Sequence, residues 1–178
     1  MPTQLKEKIN ISVEKLTNLS EVDLADLCNI TEQAISAGGG FGWLRVPTRE
    51  VLNQYWDKLT EDKLSNLIVG RLNGVIAGTL QLSYEAPNVE SRKNIAQIKR
   101  HFVAPWARGY GLAKSMIDFS EQKAKENNIK SIQLAVRQTQ EAAVQLFLNK
   151  DYKVWGENPY YAFINGSFVK GIYFYKNL

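Results

Sequence analysis

The chain has 178 residues, 44% of them hydrophobic and 22% charged. That is enough apolar material for one continuous core, so a single domain over 1–178 is expected and a disordered chain is excluded. Lys+Arg number 22 against Asp+Glu 18, a net charge of +4, which suits an anionic small ligand. Lys6, Lys8, Lys58, Lys63 and Lys99 form no block and read as solvated surface, so nucleic acid is not an expected partner. Cys28 and His101 are each the only residue of their kind, which rules out a disulfide, a Cys-rich metal site and a multi-histidine centre. No apolar run approaches a membrane span; Val75–Leu82 is broken by Gly78. Met1–Asn10 has no apolar stretch of the signal type, so a cytoplasmic protein is expected.

Ile9, Ile11 and Val13 alternate with polar residues and predict a first strand. Ser20 and Asp23 form a capping box for a helix whose buried stripe is Val22, Leu24, Leu27, Ile30 and Ala34. Ala37-Gly38-Gly39-Gly40 stops it, and an aromatic loop, Phe41–Pro47, follows. Thr48 caps a second helix with Val51, Leu52, Tyr55, Trp56 and Leu59 inward. Asn66–Leu72 and Val75–Tyr84 flank Asn73-Gly74 and predict a hairpin. A polar loop over Glu85–Asn94 leads to a strand over Ile95–Val103. A long helix opens at Arg108-Gly109-Tyr110-Gly111 and runs to Asn127, with Leu112, Met116, Ile117 and Ala124 inward. Ser131–Val136 reads as a short strand buried on both faces, and Gln140–Lys150 as a helix with Ala143, Leu146 and Phe147 inward. Tyr152–Tyr175 gives two strands about a turn at Asn165-Gly166. The order β α α β β β α β α β β is that of a mixed α/β domain with a central sheet.

The chemistry concentrates in Ile95–Ala113. The strand ends at Val103, Pro105 breaks the ladder, and the two-glycine turn enters a helix at once. Glycines there let backbone N–H groups converge at a helix N-terminus, where a phosphate or pyrophosphate binds, and Arg108 adds a positive charge. A P-loop does not fit, because Ala113 stands before Lys114-Ser115 where that motif needs glycine before its lysine. A dinucleotide fingerprint needs Gly or Ala where Lys114 stands, and belongs after a first strand. Arg-x-x-Gly-x-Ala, read from Arg108 to Ala113, fits a third pattern without exception.

On these residues the sequence resembles the GCN5-related N-acetyltransferase (GNAT) family over most of its length. Ala143-Val-Gln-Leu146-Phe147 followed by Asp151-Tyr152 looks like a second family motif. Gly42-Trp43, Tyr55-Trp56, Pro159-Tyr160-Tyr161-Ala162 and Tyr173-Phe-Tyr175 are similar to the tabtoxin-resistance branch. The resemblance implies a GNAT-like α/β domain, its mixed sheet carrying a splayed parallel strand pair, flanked by about four helices. It implies acetyl-CoA as co-substrate and a primary amine as acceptor, small and amino-acid-like or antibiotic in kind. No metal, nucleic acid or membrane is implied, and a homodimer is compatible with the family. Arg108, Gly109, Tyr110, Gly111, Leu112 and Ala113 would hold the pyrophosphate, and Phe102 and Val103 the pantetheine arm. The Val103 N–H would stabilise the oxyanion, and Phe147 would pack near the thioester.

Departures fall on the acid–base half. Phe147 stands where the family often has a proton-donating tyrosine, Gln97 near a carboxylate, Val136 at the branch's aspartate and Gln140 at a helix-capping asparagine. Water, Tyr110, Tyr152 and His101 stay open as substitutes. His101 shares a strand face with Val103 and reads either as a base toward the acceptor or as a half-buried structural residue. Trp43, Tyr55 and Trp56 read as an acceptor pocket or as a satellite cluster, and Tyr160 and Tyr161 as a substrate wall or a plain loop. Cys28 reads as core. Two further functions stay open: acetylation of a protein N-terminus or lysine, and acyl-CoA binding with little turnover.

Overall fold

The computed structural model describes residues 9–39 and 41–178. The basic N-terminal stretch with Lys6 and Lys8, and the third glycine of the first helix stop, Gly40, lie outside the described residues. Chain order is β1 (Ile11–Lys15), α1 (Glu21–Ser36), α2 (Arg49–Glu61), β2 (Ser65–Leu72), β3 (Val75–Tyr84), β4 (Ile95–Val103), α3 (Leu112–Glu126), β5 (Ser131–Arg137), α4 (Glu141–Asn149), β6 (Lys153–Ile164) and β7 (Ser167–Asn177). Every expected element is present in the expected order.

The seven strands form one sheet in the order β1-β2-β3-β4-β5-β7-β6. All neighbours are antiparallel except β4 and β5, which pair in parallel. That pairing covers only Ile95↔Ser131, Ala96↔Ile132 and Gln97↔Gln133. Both strands then continue, β4 to Val103 and β5 to Arg137, with no ladder between them. The two central strands thus diverge into a V.

Strand alternation sorts side chains onto two faces. One apolar cluster joins Ile68, Leu80, Leu82, Ile98, Ile132 and Leu134 to Leu112, Met116 and Ile117 of α3 and to Phe147 of α4. The other joins Leu67, Val69, Ile76 and Phe102 to Leu27, Ile30 and Ala34 of α1 and to Leu52 and Trp56 of α2. The sheet is therefore covered on both faces.

The structure corrects the helix stripes in two places. Val22 is 70% exposed and Val51 43% exposed. Each sits in the first turn of its helix, ahead of the first sheet-facing residue. The Ser20 half of the capping box forms, its Oγ accepting from the Asp23 N–H at 3.1 Å. The Asp23 carboxylate instead takes the Arg71 guanidinium at 2.7 Å. A charged partner on β2 outbids a neutral local amide.

β5 differs from its reading as a strand buried on both faces. Ile132, Leu134 and Val136 are buried, whereas the alternate residues are half-exposed. The apolar cluster under α1 and α2 takes residues from β2, β3 and β4 and none from β5, so that face of β5 is left half-open.

Candidate active site

The geometry of the V begins with a kink in β4. Gln81 pairs with Lys99 and Thr79 with Phe102, so one residue of β4 is extra. Arg100 has φ +51°, a left-handed conformation, and marks this bulge. Its freed carbonyl accepts from Thr79 Oγ1 at 2.9 Å, which keeps the bulge satisfied inside the sheet. The extra residue shifts the alternation. Arg100 reaches the α1–α2 face, bonding Gln81 and lying 5.4 Å over the Tyr55 ring. His101 turns to the α3–α4 face, 5.5 Å from the Phe147 ring.

Beyond the bulge, the Ala104 N–H donates to Ala77 O at 2.8 Å. Successive N–H groups of a strand point to opposite edges, so the Val103 N–H points away from β3 and into the V. The Val103 carbonyl shares that edge and accepts from Arg108 Nε at 3.4 Å. Pro105–Ala107 makes a short 3₁₀ turn, and the two-glycine turn follows. Gly109 (φ +85°) and Gly111 (φ +79°) are both left-handed, and a Cβ on either would meet open space. Glycine is needed there for conformation, not for room. Gly111 is the N-cap of α3 and offers no side-chain cap; no acidic residue lies in the first turn. The first-turn N–H groups thus lack a side-chain acceptor, and the end of the V carries the donor set that a diphosphate requires.

A cavity of about 780 Å³ fills the V. Gln97 and Gln133, the last parallel pair, lie at its base. Lys99, Arg100 and His101 line it from β4, and Ala135, Val136 and Arg137 from β5. Phe147 and Ala143 of α4 close the side of the α3–α4 face; Phe41, Gly42 and Leu44 come from the loop before α2. Trp155, Tyr161 and Tyr173 form an aromatic wall from β6 and β7. The Tyr161 ring lies flat on Gly171, where an added Cβ would stand 2.3 Å from Tyr161 Cγ.

Several sequence expectations change here. His101 does share the Val103 face, which packs toward α3 and α4, and it reaches the cavity from that side. Its Nε2 is buried without a partner, and burial drives the imidazole down to about 4. A ring so depressed is neutral at pH 7 and a poor proton acceptor. The Phe102 side chain points to the opposite face, 6.0 Å from Phe41, and by the same alternation its N–H and carbonyl face β3, so it is Val103 that turns main-chain groups into the V. Trp43 packs on Tyr55 at 4.8 Å as the satellite cluster and does not line the cavity. Tyr160 is 68% exposed, set edge-to-face against Phe168, and also lies off the cavity. Tyr161 does line it, and burial raises its phenol. Tyr110 and Tyr152, the other open acid candidates, do not line it; the Tyr152 hydroxyl is buried beside Phe147 without a partner, and burial raises it. Gln140 occupies the N-cap of α4 but makes no cap bond, and lines the cavity instead. Lys99 is exposed, as expected, and also lines the cavity. Arg100, Arg137 and Trp155 were not singled out from sequence, and Tyr173 only as part of the Tyr173-Phe-Tyr175 resemblance. Only the β5 alternation of Gln133, Ala135 and Arg137 carried a signal for one of them.

A parallel pair that splays, a bulge on one arm of the splay and a two-glycine turn into a helix beyond it form the frame of a CoA-dependent acyltransferase. A model of the Acetyltransferase (GNAT) family matches residues 27–150. An N-acetyltransferase from the hisH-hisA intergenic region of Azospirillum brasilense is 41% identical over 131 residues, covering 74% of this chain and 78% of the relative. The chain belongs to the GNAT family and is an N-acetyltransferase, an acyltransferase that uses acetyl-CoA.

Solved structures agree on the fold. The ribosomal-protein-alanine N-acetyltransferase of Brucella melitensis superimposes with TM-score 0.78 at 17% identity, covering 94% of this chain and 99% of that one. Salmonella typhimurium yncA, solved with its cofactor acetyl-CoA, gives TM-score 0.77 at 14% identity, covering 95% and 94%. A Sinorhizobium meliloti phosphinothricin acetyltransferase in complex with acetyl-CoA gives 0.77 at 13%, covering 94% and 88%.

Proposed function

We propose that this chain acetylates a small primary amine by direct attack on acetyl-CoA within a ternary complex. The turn from Arg108 to Ala113 holds the pyrophosphate through its main-chain N–H groups, with Arg108 leaving the Val103 carbonyl to meet it. The main chain of Phe102 and Val103 runs beside the pantetheine arm, and the Val103 N–H meets the oxyanion as it forms. Phe147 and the neutral His101 wall the thioester on the α3–α4 side. The amine enters from the opposite side, past Tyr161. Holding two reactants in line supplies most of the rate, with effective molarities of ~10⁵ M or more available from that source. The thiolate then leaves, the acylated nitrogen gives its surplus proton to water, and the thiolate takes one back from water.

One observation carries the reading: the V between β4 and β5 opens on one side at an anion-binding helix start and on the other at an aromatic-walled cavity of about 780 Å³. A volume of that order suits a small acceptor beside an acyl arm. It favours a small molecule over a protein terminus, which would need an open groove.

Steady-state thiol release from acetyl-CoA across a panel of amines tests it. Release that saturates with one amine class supports the reading. Tight CoA binding without release from any amine would leave an acyl-CoA-binding module in its place.

A further inference from the structure

The acceptor side of the cavity carries charge of one sign. Its charged lining residues are Lys99, Arg100 and Arg137, and no Asp or Glu lines it among the described residues. None of the three forms an ion pair among the described residues. Arg100 is already committed to Gln81 and the Tyr55 ring. Arg137 is different. It donates from Nη1 to Gly38 O at 3.4 Å and from Nη2 to Gly39 O at 3.3 Å. Those contacts tether the guanidinium between β5 and the loop after α1. They leave others of its five N–H donors free. It is near enough to Tyr161 to oppose part of the burial-driven rise of that phenol.

A tethered, half-buried guanidinium without a carboxylate is a ready-made partner for an oxyanion. We infer that Arg137, with Lys99 lining the same cavity, binds an acidic group on the acceptor. The substrate is then an amine that also bears a carboxylate or a comparable oxyanion: an amino acid or aminophosphonate, not a polyamine. The inference rests on the acetyl-transfer reading above. The same field explains how the amine loses its proton where the lining offers no carboxylate base. Nearby cations disfavour the ammonium form and make it more acidic. A polycationic acceptor would meet that repulsion with nothing to offset it.

The test compares matched acceptors: an amino acid, its carboxamide, its decarboxylated amine and the corresponding aminophosphonate, over several side chains, with spermidine as the polycation. The acid-bearing members are expected to exceed their neutral counterparts in kcat/KM by about tenfold or more. Arg137→Gln is expected to erase that preference mainly through KM, and Arg137→Lys to keep part of it. The carboxylate and phosphonate arms tell which oxyanion fits. Equal or better turnover of carboxamides, decarboxylated amines or spermidine would overturn the inference while leaving acetyl transfer intact. Calorimetry reads the anion site without turnover: N-acetyl amino acids against their carboxamides, titrated into CoA-loaded protein. A preference of about tenfold for the acid supports the site even if thiol release fails, and equal affinities overturn it.

Discussion

Gly111 shows how one residue can serve conformation and ligand at once. Its φ of +79° costs an L side chain about 1–2 kcal/mol, although a Cβ would meet nothing. Gly111→Glu adds that strain and sets a carboxylate among the N–H groups meant for a diphosphate. A loss of at least about a hundredfold in CoA affinity is expected by calorimetry, in a protein that still unfolds cooperatively. Unchanged affinity in the folded variant would move the pyrophosphate elsewhere. His101 supplies a pH signature at the same scale. Its folded value of about 4 lies below the ordinary 6.5, so the unfolded chain binds the proton first. The stability this residue permits is complete above pH 6.5 and falls as the pH drops towards 4, by about 3 kcal/mol in all. Denaturant titrations of the protein and of His101→Gln between pH 7 and 4 should diverge in slope by that amount. Parallel slopes would show the ring charged in the folded state.

At the scale of elements, the β6–β7 pair builds the aromatic wall of the cavity. Tyr161 can lie on the sheet only because Gly171 has no side chain, its Cγ and Cδ2 being 2.3 and 2.5 Å from where a Cβ would stand. Gly171→Ala must push that ring aside. The expected outcome is a several-fold rise in KM for the amine with CoA affinity unchanged, read by steady-state kinetics beside calorimetry. A rise in both constants would mean that the whole hairpin moves. The packing of α4 against the sheet turns on Phe147, which is 1% exposed and touches the rings of His101, Tyr152 and Phe174. Phe147→Ala should cost about 3–5 kcal/mol in denaturant unfolding, since the cavity it leaves is ringed by side chains fixed by other contacts. A loss under about 1 kcal/mol would mean that α4 collapses onto the sheet.

For the whole molecule, charge and topology act together. A chain of net charge +4 whose anion sites lie at the open end of a V should gather an anionic cofactor faster at low salt. The KM for acetyl-CoA is expected to rise severalfold between about 20 and 300 mM salt, with kcat little changed. A flat response would confine the attraction to the short-range contacts of the glycine turn.

Local rules in the sequence determined a good deal: every element and its order, and the turn from Arg108 to Ala113. Apolar periodicity, Asn-Gly turns and paired glycines act over a few neighbouring residues, and the residues themselves carry them. Three matters waited for the tertiary structure. The bulge at Arg100 depends on β3, since Thr79 from the neighbouring strand satisfies it, and it alone turned His101 to one face and Arg100 to the other. The half-open face of β5 depends on where α1 and α2 pack, since their apolar cluster takes residues from β2, β3 and β4 and none from β5. Arg137 became a cavity residue because that pairing stops at Gln133 and because the loop after α1, almost a hundred positions away in the chain, comes to lie against it. Periodicity reports which residues share a face; only long-range pairing decides what that face looks out upon.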